Sequence, residues 1–437
     1  MGRKFYIKTF GCQMNEDDSE RMRGIMLSMG YEEAEEPSSA DIIIVNTCTV
    51  RAKSEHKALS FLGRVKKFKR KGALIGITGC VAQERKESLF TQLPYLDFIM
   101  GPPALSSFHK LMERIESGER KIILTERDGD AEFPYERTYT GKVKAYVTIM
   151  EGCNNFCSYC IVPFVRGREV SRKPDDIIKE CEMHAEKGIK EVILLGQNVN
   201  SYGKELGVSL ADLIKKISLI DGIKRIRFLT SHPKDLTDEI IRCFGEVEKL
   251  CEQIHLPAQS GSNRILRAMN RKYTREDYLK LIKKLRIVRP DIAITSDFIV
   301  GFPGETEEDF RETLSLVEEV KFDNFFSFKY SPRPKTSAEK LPDDVPPEEK
   351  ARRIVLLQEI QKRITLEINS SLIGKIEEVL VEGMSKNTKK GKVVCQLFGR
   401  TRKNKIVNFS GDEKLIGNLI NVRIKEALAN DLIGEYN

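Results

Sequence analysis

Tyr146-Val-Thr-Ile-Met-Glu-Gly-Cys-Asn-Asn-Phe-Cys-Ser-Tyr-Cys160 is an apolar run that delivers three cysteines in Cys-x3-Cys-x2-Cys spacing. Three thiolates do not close a tetrahedral zinc site, which normally draws a fourth ligand from a second pair nearby. No such pair follows, and the next cysteine, Cys181, falls in a segment that reads as helix. A 4Fe–4S cluster takes one thiolate per iron, so Cys153, Cys157 and Cys160 leave one iron open to a small molecule. An open iron is a catalytic feature, and it points to a cluster that binds and cleaves S-adenosylmethionine.

Outward from this motif, strand-like runs recur at 145–149, 191–195, 225–229, 253–256, 292–300 and 324–330, with helical patterns at 175–187, 209–217, 275–289 and 307–320. Alternating βα units in series predict a (β/α)6 partial TIM barrel, whose chemistry gathers at the carboxyl ends of its strands. Those ends are polar or glycine-rich: Gly196-Gln197-Asn198, Ser231-His232, Gln259-Ser260-Gly261, Gly301 to Gly304 and Ser331-Pro332-Arg333.

Upstream, residues 1 to about 120 alternate short apolar runs (5–10, 41–46, 73–78) with amphipathic stretches, the pattern of a parallel α/β sheet. Each run ends in a cysteine, Cys12, Cys48 or Cys80, about one βαβ unit apart. Parallel strands bring their carboxyl ends to one edge, so these cysteines should converge. The bland alternative is three buried core cysteines.

A polar stretch beginning at Glu126 reads as a first linker, and the Pro-rich segment 331–348 as a second, ahead of a long helix over 348–369. Beyond 371, short alternating runs (377–382, 392–397, 405–409, 419–424) predict a small OB-like β-barrel. Lys386, Lys389, Lys390 and Lys392 share one of its loops, and Arg400, Arg402, Lys403 and Lys405 another. Two basic loops on one small barrel suit an RNA backbone. The expected domains are therefore 1–120, 140–370 and 371–437.

Composition bounds the rest. The chain has 437 residues, 40% hydrophobic and 32% charged, enough for two or three domains. Ten cysteines are too sparse for a secreted disulfide scaffold, and reduced thiols in the cytoplasm are the better expectation. No apolar run approaches the roughly 20 residues of a membrane span. The N-terminus lacks both a signal core and a myristoylation signal. A net charge of +8 is modest for this length and matters only where it clusters. The absence of a long heptad pattern favours a monomer.

Thr9-Phe-Gly-Cys-Gln-Met-Asn15, Asn46-Thr-Cys48, Gly79-Cys-Val81, the three-cysteine motif, Leu195-Gly-Gln-Asn-Val-Asn200, His255-Leu-Pro-Ala-Gln-Ser-Gly-Ser262 and Ser296-Asp-Phe-Ile-Val-Gly-Phe-Pro-Gly-Glu305 together resemble the radical S-adenosylmethionine methylthiotransferases. Gln-Met-Asn after Cys12 is similar to the branch that modifies N6-isopentenyladenosine in tRNA. Gly399-Arg-Thr-Arg-Lys-Asn-Lys-Ile-Val-Asn-Phe409 resembles a TRAM domain, and favours the same branch. The resemblance implies two 4Fe–4S clusters, one on Cys153, Cys157 and Cys160, the other on Cys12, Cys48 and Cys80 and carrying the sulfur to be inserted. It implies two S-adenosylmethionine molecules per turnover. Gly196, Gln197 and Asn198 would contact the methionyl amino group and Tyr159 the cofactor's adenine, with Ser231, Gln259 and Asp297 as further polar groups at the barrel end. The implied product carries a methylthio group on carbon 2 of the adenosine next to the anticodon (position 37). Implied partners are the tRNA anticodon stem-loop and an electron donor such as flavodoxin or ferredoxin. The resemblance further implies that the two open irons share one chamber. Two other substrates belong to the same chemistry, threonylcarbamoyl-adenosine of tRNA and a ribosomal-protein aspartate. A non-catalytic zinc-stabilised RNA-binding protein is the alternative from another class. Cys181, Cys243, Cys251 and Cys395 have no argued role.

Overall fold

The computed structural model describes residues 3–49, 52–127, 143–385 and 396–436. The first linker lies almost wholly outside them, as do Cys395 and all four lysines of the first basic loop. The chain packs as two units: residues 1–140, 150–154 and 161–172 form the first, and 141–149, 155–160 and 173–437 the second.

The first unit is built on six parallel strands: β1 (Lys4–Phe10), β2 (Glu32–Glu33), β3 (Ile42–Thr47), β4 (Leu74–Gly79), β5 (Phe98–Met100) and β6 (Ile122–Leu124), in spatial order β2-β1-β3-β4-β5-β6. The period of two along β3 feeds two cores. Ile42 and Ile44 pack with Phe5, Met22, Phe108 and Met112 on one face, while Ile43 and Val45 pack with Leu62, Ile75 and Leu89 on the other. Cover on both faces explains why these strands read as continuous apolar runs. β2, β5 and β6 are two or three residues long, too short to leave a periodic signal. The first helix, α1 (Gln13–Ser28), starts directly after Cys12, where the Asn15 side chain accepts the Cys12 backbone N–H at 3.3 Å and caps the turn. Its first half is polar yet buried: Asn15, Asp17, Asp18, Ser19, Glu20 and Arg21 all face inward. A short hairpin pairs β8 (Met150–Glu151) with β9 (Val170–Ser171).

The second unit opens with β7 (Lys144–Thr148), β10 (Glu191–Leu195) and β11 (Arg225–Phe228) in one parallel sheet, and β12 (Gln253–His255), β13 (Ala293–Val300) and β14 (Asn324–Lys329) in another. A parallel bridge between Ile226 of β11 and Leu250, just ahead of β12, brings the two sheets side by side. The six strands thus follow one another as an open (β/α)6 partial barrel, as the sequence predicts; the four expected helices stand within a residue or two of expectation, and a further helix, Asp238–Glu246, connects β11 to β12. Thr274 and Thr306 cap two of those helices by accepting the N–H of Asp277 and Asp309, which is what defines their starts so sharply in the sequence.

After the helix Pro347–Ser370, the chain closes a five-stranded barrel of β15 (Ile376–Met384), β16 (Gln396–Thr401), β17 (Ile406–Ser410), β18 (Leu419–Ala427) and β19 (Leu432–Glu435). Two fully buried arginines on β11 hold it against the parallel sheet. Arg225 donates to the Glu378 carboxylate at 2.7 Å, the Glu378 carbonyl at 2.9 Å and the Arg400 carbonyl at 2.8 Å. Arg227 donates to Glu191 at 3.0 Å, the Thr401 carbonyl at 2.7 Å and the Arg402 carbonyl at 2.6 Å. Arg402 returns the contact, donating to Glu252 and to the Glu248 and Leu250 carbonyls.

Truncating Arg227 leaves the buried Glu191 carboxylate and two carbonyls without their donor, so Arg227→Ala should cost about 3–5 kcal/mol. Urea denaturation should report that loss, and limited proteolysis should show new cleavage near residues 371–375, ahead of the small barrel.

Candidate functional site

Cys12, Cys48, Cys80 and Cys153 belong to the first unit, and Cys157 and Cys160 to the second. In the first unit, Cys12, Cys48 and Cys80 follow β1, β3 and β4 at the carboxyl edge of the sheet, and the Cys48 thiol lies within hydrogen-bond reach of both others. The start of α1 is tied to the end of β3 beside them. Asn15 donates to Asn46 Oδ1 and to the Thr47 carbonyl at 3.1 Å each; Asn46 donates to the Asn15 carbonyl at 2.8 Å and to Ser19 at 2.9 Å. Gly79 sits at φ +88°, and a Cβ there would stand 2.3 Å from the Thr47 carbonyl oxygen. The quoted Asn and Gly positions of the motifs therefore have a mechanical reason.

Thiols in contact share protons unequally. Cys12 is held down at about 5, first by the hydrogen bond from Cys48 and then by the charge of Arg166. Cys80 is lowered by the same Cys48 contact, and Cys48, the donor to both, is raised. Cys12 and Cys80 also stand at the amino ends of helices, where thiolate is favoured. Arg166 enters from the turn Val162–Val165, whose Ile161 and Val165 pack on Cys80. Its Nη2 donates to Asp18 Oδ2 at 2.7 Å. Burial pushes the Asp18 carboxyl up to about 7, with Arg166 pulling it back. Among the described residues, no three His, Cys, Asp or Glu side chains are drawn in around a single metal ion. A cluster with one thiolate per iron spreads its ligands over three metals and does not ask for that. Three thiols converging from three strand ends, two of them biased to thiolate, beside a buried cation, fit such a group.

In the second unit, Cys157 is buried and Cys160 half-buried, joined by a turn in which the Cys160 N–H donates to the Cys157 carbonyl at 2.9 Å. Cys153 belongs to the segment that packs with the first unit, where its N–H donates to the Gly167 carbonyl at 3.1 Å. Arg271 donates to the Cys157 sulfur at 3.4 Å, to the Pro257 carbonyl at 2.8 Å and to the Tyr273 hydroxyl at 2.9 Å. His232 Nε2 lies 4.0 Å from the same sulfur, and burial first, then the Arg271 charge, pushes its pKa down to about 2. A neutral His232 is no proton donor at working pH.

The mouth of the partial barrel contains polar atoms that the chain leaves unsatisfied. Gln197 Oε1, Asn200 Oδ1, Ser231 Oγ and Asp297 Oδ1 are buried without a hydrogen-bond partner among the described residues. Native chains rarely tolerate such atoms unless something else pairs with them. A ligand as polar as S-adenosylmethionine fits that need. Of the residues expected here, Gln197, Ser231 and Asp297 have free acceptors, and Gln259 reaches the same region through its N–H, which donates to the Asp297 carbonyl at 2.8 Å. Asn198 differs. Its side chain donates to Asp235 at 2.8 Å and to Ser201 at 3.1 Å and accepts the His232 N–H at 3.1 Å, so it ties the ends of β10 and β11 together. Gly196 directly follows β10. Tyr159 packs beside Ile299 on the cluster of Ile265, Met269, Phe302 and Tyr330.

The second basic loop is placed differently from expectation. Arg400 pairs with Glu382 at 3.3 Å, Arg402 with Glu252 at 2.8 Å, Lys403 with Asp291 at 2.7 Å and Lys405 with Asp323 at 2.8 Å. These charges are neutralised within the chain, three of them against the partial barrel, because the β16–β17 turn is the seat on which the small barrel docks. Sequence reading also missed Arg166 and Arg271, since a lone arginine in Phe-Val-Arg-Gly or Met-Asn-Arg-Lys looks like an ordinary surface charge.

An open six-strand parallel barrel, with Cys-x3-Cys-x2-Cys after its first strand and unsatisfied polar atoms at its mouth, defines a radical S-adenosylmethionine enzyme. The family comparisons agree: residues 147–317 match the radical SAM superfamily, 370–436 the TRAM domain and 4–101 the uncharacterized protein family UPF0004. Relatives named tRNA-2-methylthio-N(6)-dimethylallyladenosine synthase are 50% identical in Geobacter metallireducens, over 98% of this chain and 97% of the relative, and 49% identical in Clostridium perfringens, over 99% and 97%. The chain belongs to this family of synthases. Among solved structures, the radical S-adenosylmethionine methyltransferase TsrM from Kitasatospora setae shares the fold, with a TM-score of 0.57 at 15% identity over 90% of this chain and 78% of that one.

Gly79→Ala should drive a methyl group into the Thr47 carbonyl and strain φ, opening the sheet edge that gathers Cys48 and Cys80. Iron analysis after anaerobic reconstitution should then fall to about half the parent value, one cluster's worth of the two.

Proposed function

We propose that this chain transfers a methylthio group to carbon 2 of N6-isopentenyladenosine next to the anticodon of tRNA. What supports the reading most is half-identity along nearly the whole length to synthases named for that product, with both sets of three cysteines present. Two 4Fe–4S clusters and S-adenosylmethionine, two per turnover, are its cofactors.

Carbon 2 of adenine bears an unactivated C–H bond that no side-chain base removes at useful rates, and the bound cluster and S-adenosylmethionine supply the homolytic chemistry instead. The chain's own residues hold and orient. Cys153, Cys157 and Cys160 are assigned as ligands of the first cluster, with Arg271 donating to the Cys157 sulfur. Gln197, Ser231, Gln259 and Asp297 are assigned to S-adenosylmethionine, with Gly196 giving backbone access and Tyr159 packing beside the bound nucleoside. Asn198 keeps the strand ends in place rather than binding directly. Cys12, Cys48 and Cys80 are assigned to the second cluster, which carries the sulfur to be inserted. The low pKa of His232 and its burial agree with a site that needs no general base.

The target base lies in a single-stranded loop and can be splayed out without melting a helix. Backbone contacts are assigned to the first basic loop of the small barrel, Lys386, Lys389, Lys390 and Lys392, since Arg400, Arg402, Lys403 and Lys405 serve docking. No described helix is long and apolar enough to cross a membrane. We place the reaction in the cytoplasm, on a monomer, with a flavodoxin or ferredoxin as electron donor.

Nucleoside mass spectrometry of tRNA carrying isopentenyladenosine, after anaerobic incubation with reconstituted protein, should show a gain of one methylthio unit. Cys157→Ala should abolish both product and cleavage of S-adenosylmethionine. Cys48→Ala should keep the cleavage and lose the product. A chain that forms no methylthio product from this tRNA overturns the reading. Replacing Lys389 and Lys390 by alanine should weaken tRNA binding and reduce the slope of log K against log salt by about one per lost phosphate contact.

A further inference from the structure

Arg166 is the least explained charge in the first unit. It is 5% exposed, enters on the turn Val162–Val165, and donates through Nη2 to Asp18. Its Nη1 is buried and has no hydrogen-bond partner among the described residues. A buried guanidinium is tolerated when its charge is matched and its N–H groups are satisfied, and here one carboxylate does only part of both. The other ionisable groups that act on it are Cys80, Cys12 and Glu151. Ile161 and Val165, on the same turn, pack directly on Cys80, so the arginine is carried to the edge where the thiols converge.

A plain strut tying the turn to α1 would be complete with the Asp18 contact. It would have no reason to bury a second donor beside the Cys80 sulfur, whose pKa the Arg166 charge and side-chain hydrogen bond help to lower. Thiolates are the anions at hand, and a cluster on three of them places further negative charge in the same volume. Hydrogen bonds and charge around ligand sulfurs are among the levers by which a protein sets a cluster's potential.

Resting on the assignment of Cys12, Cys48 and Cys80 as ligands of the second cluster, we propose that Arg166 is the positioning residue of that centre: held by Asp18, its guanidinium supplies the positive charge that balances the anionic thiolate site and raises its reduction potential. Removing the cation should disfavour the reduced, more negative state. Removing the countercharge at Asp18 should do the reverse.

The test uses the full chain with Cys153, Cys157 and Cys160 replaced by alanine, so that only the second centre reports. Its midpoint potential is followed by electron paramagnetic resonance during a redox titration at pH 8. Arg166→Gln should lower the potential by at least a tenfold change in the oxidised-to-reduced ratio, about 59 mV for one electron. Arg166→Lys should stay near the parent, and Asp18→Asn should shift the potential upward. Shifts of opposite sign separate charge from loosened packing, which would not reverse with the sign of the group removed. If Arg166→Gln does not assemble a centre, the Asp18→Asn shift alone decides. A centre that is present with unchanged potentials, or with Arg166→Gln and Asp18→Asn moving it the same way, overturns the proposal while leaving the cluster assignment standing. Absence of iron at the centre in the parent overturns the assignment and the proposal together.

Discussion

Parallel pairing is the constraint from which the rest follows. In a sheet whose strands all run one way, every carboxyl end arrives at the same edge, so residues a βαβ unit apart in sequence become neighbours. Cys12, Cys48 and Cys80 meet for that reason, and the meeting needs close tolerances. Asn15 and Asn46 satisfy each other and the adjoining carbonyls between α1 and β3, while Gly79 gives β4 room against the Thr47 carbonyl. The polar first half of α1 is buried because it serves this edge. A helix designed only to cover a sheet would present apolar residues there.

Buried arginines perform three separate tasks. On β11, Arg225 and Arg227 satisfy main-chain carbonyls of the small barrel and fix its seat. Arg271 touches the Cys157 sulfur while its ring neighbour Tyr273 and the Pro257 carbonyl hold it still. Arg166 sits half-satisfied at the thiol edge. Each is costly to bury alone and is compensated by its own set of acceptors: carbonyls and a carboxylate for Arg225 and for Arg227, a sulfur and a carbonyl for Arg271, a carboxylate for Arg166.

Much of this architecture was legible beforehand. The six strands of the partial barrel stand where the recurring apolar runs place them, the short β11 and β12 included, and the helix Glu307–Val320 stands where periodicity and the Thr306 cap place it. β2, β5, β6 and β19 were not legible, being two to four residues long and stabilised by neighbours rather than by pattern. At the sites, convergence of the three N-terminal cysteines followed from topology. Charges were harder to read. Arg400, Arg402, Lys403 and Lys405 have the spacing of a phosphate-binding loop, yet each pairs with a carboxylate distant in sequence. Arg166 and Arg271 gave no signal because their meaning lies in partners that only folding supplies.

The seat of the small barrel has an evolutionary corollary. Arg225 and Arg227 grip it largely by peptide oxygens at Glu378, Arg400, Thr401 and Arg402, and every amino acid presents that atom. A module recognised through its main chain can exchange much of its outward chemistry without coming adrift. Changes to its outward side chains leave those main-chain contacts, and with them the seat, in place.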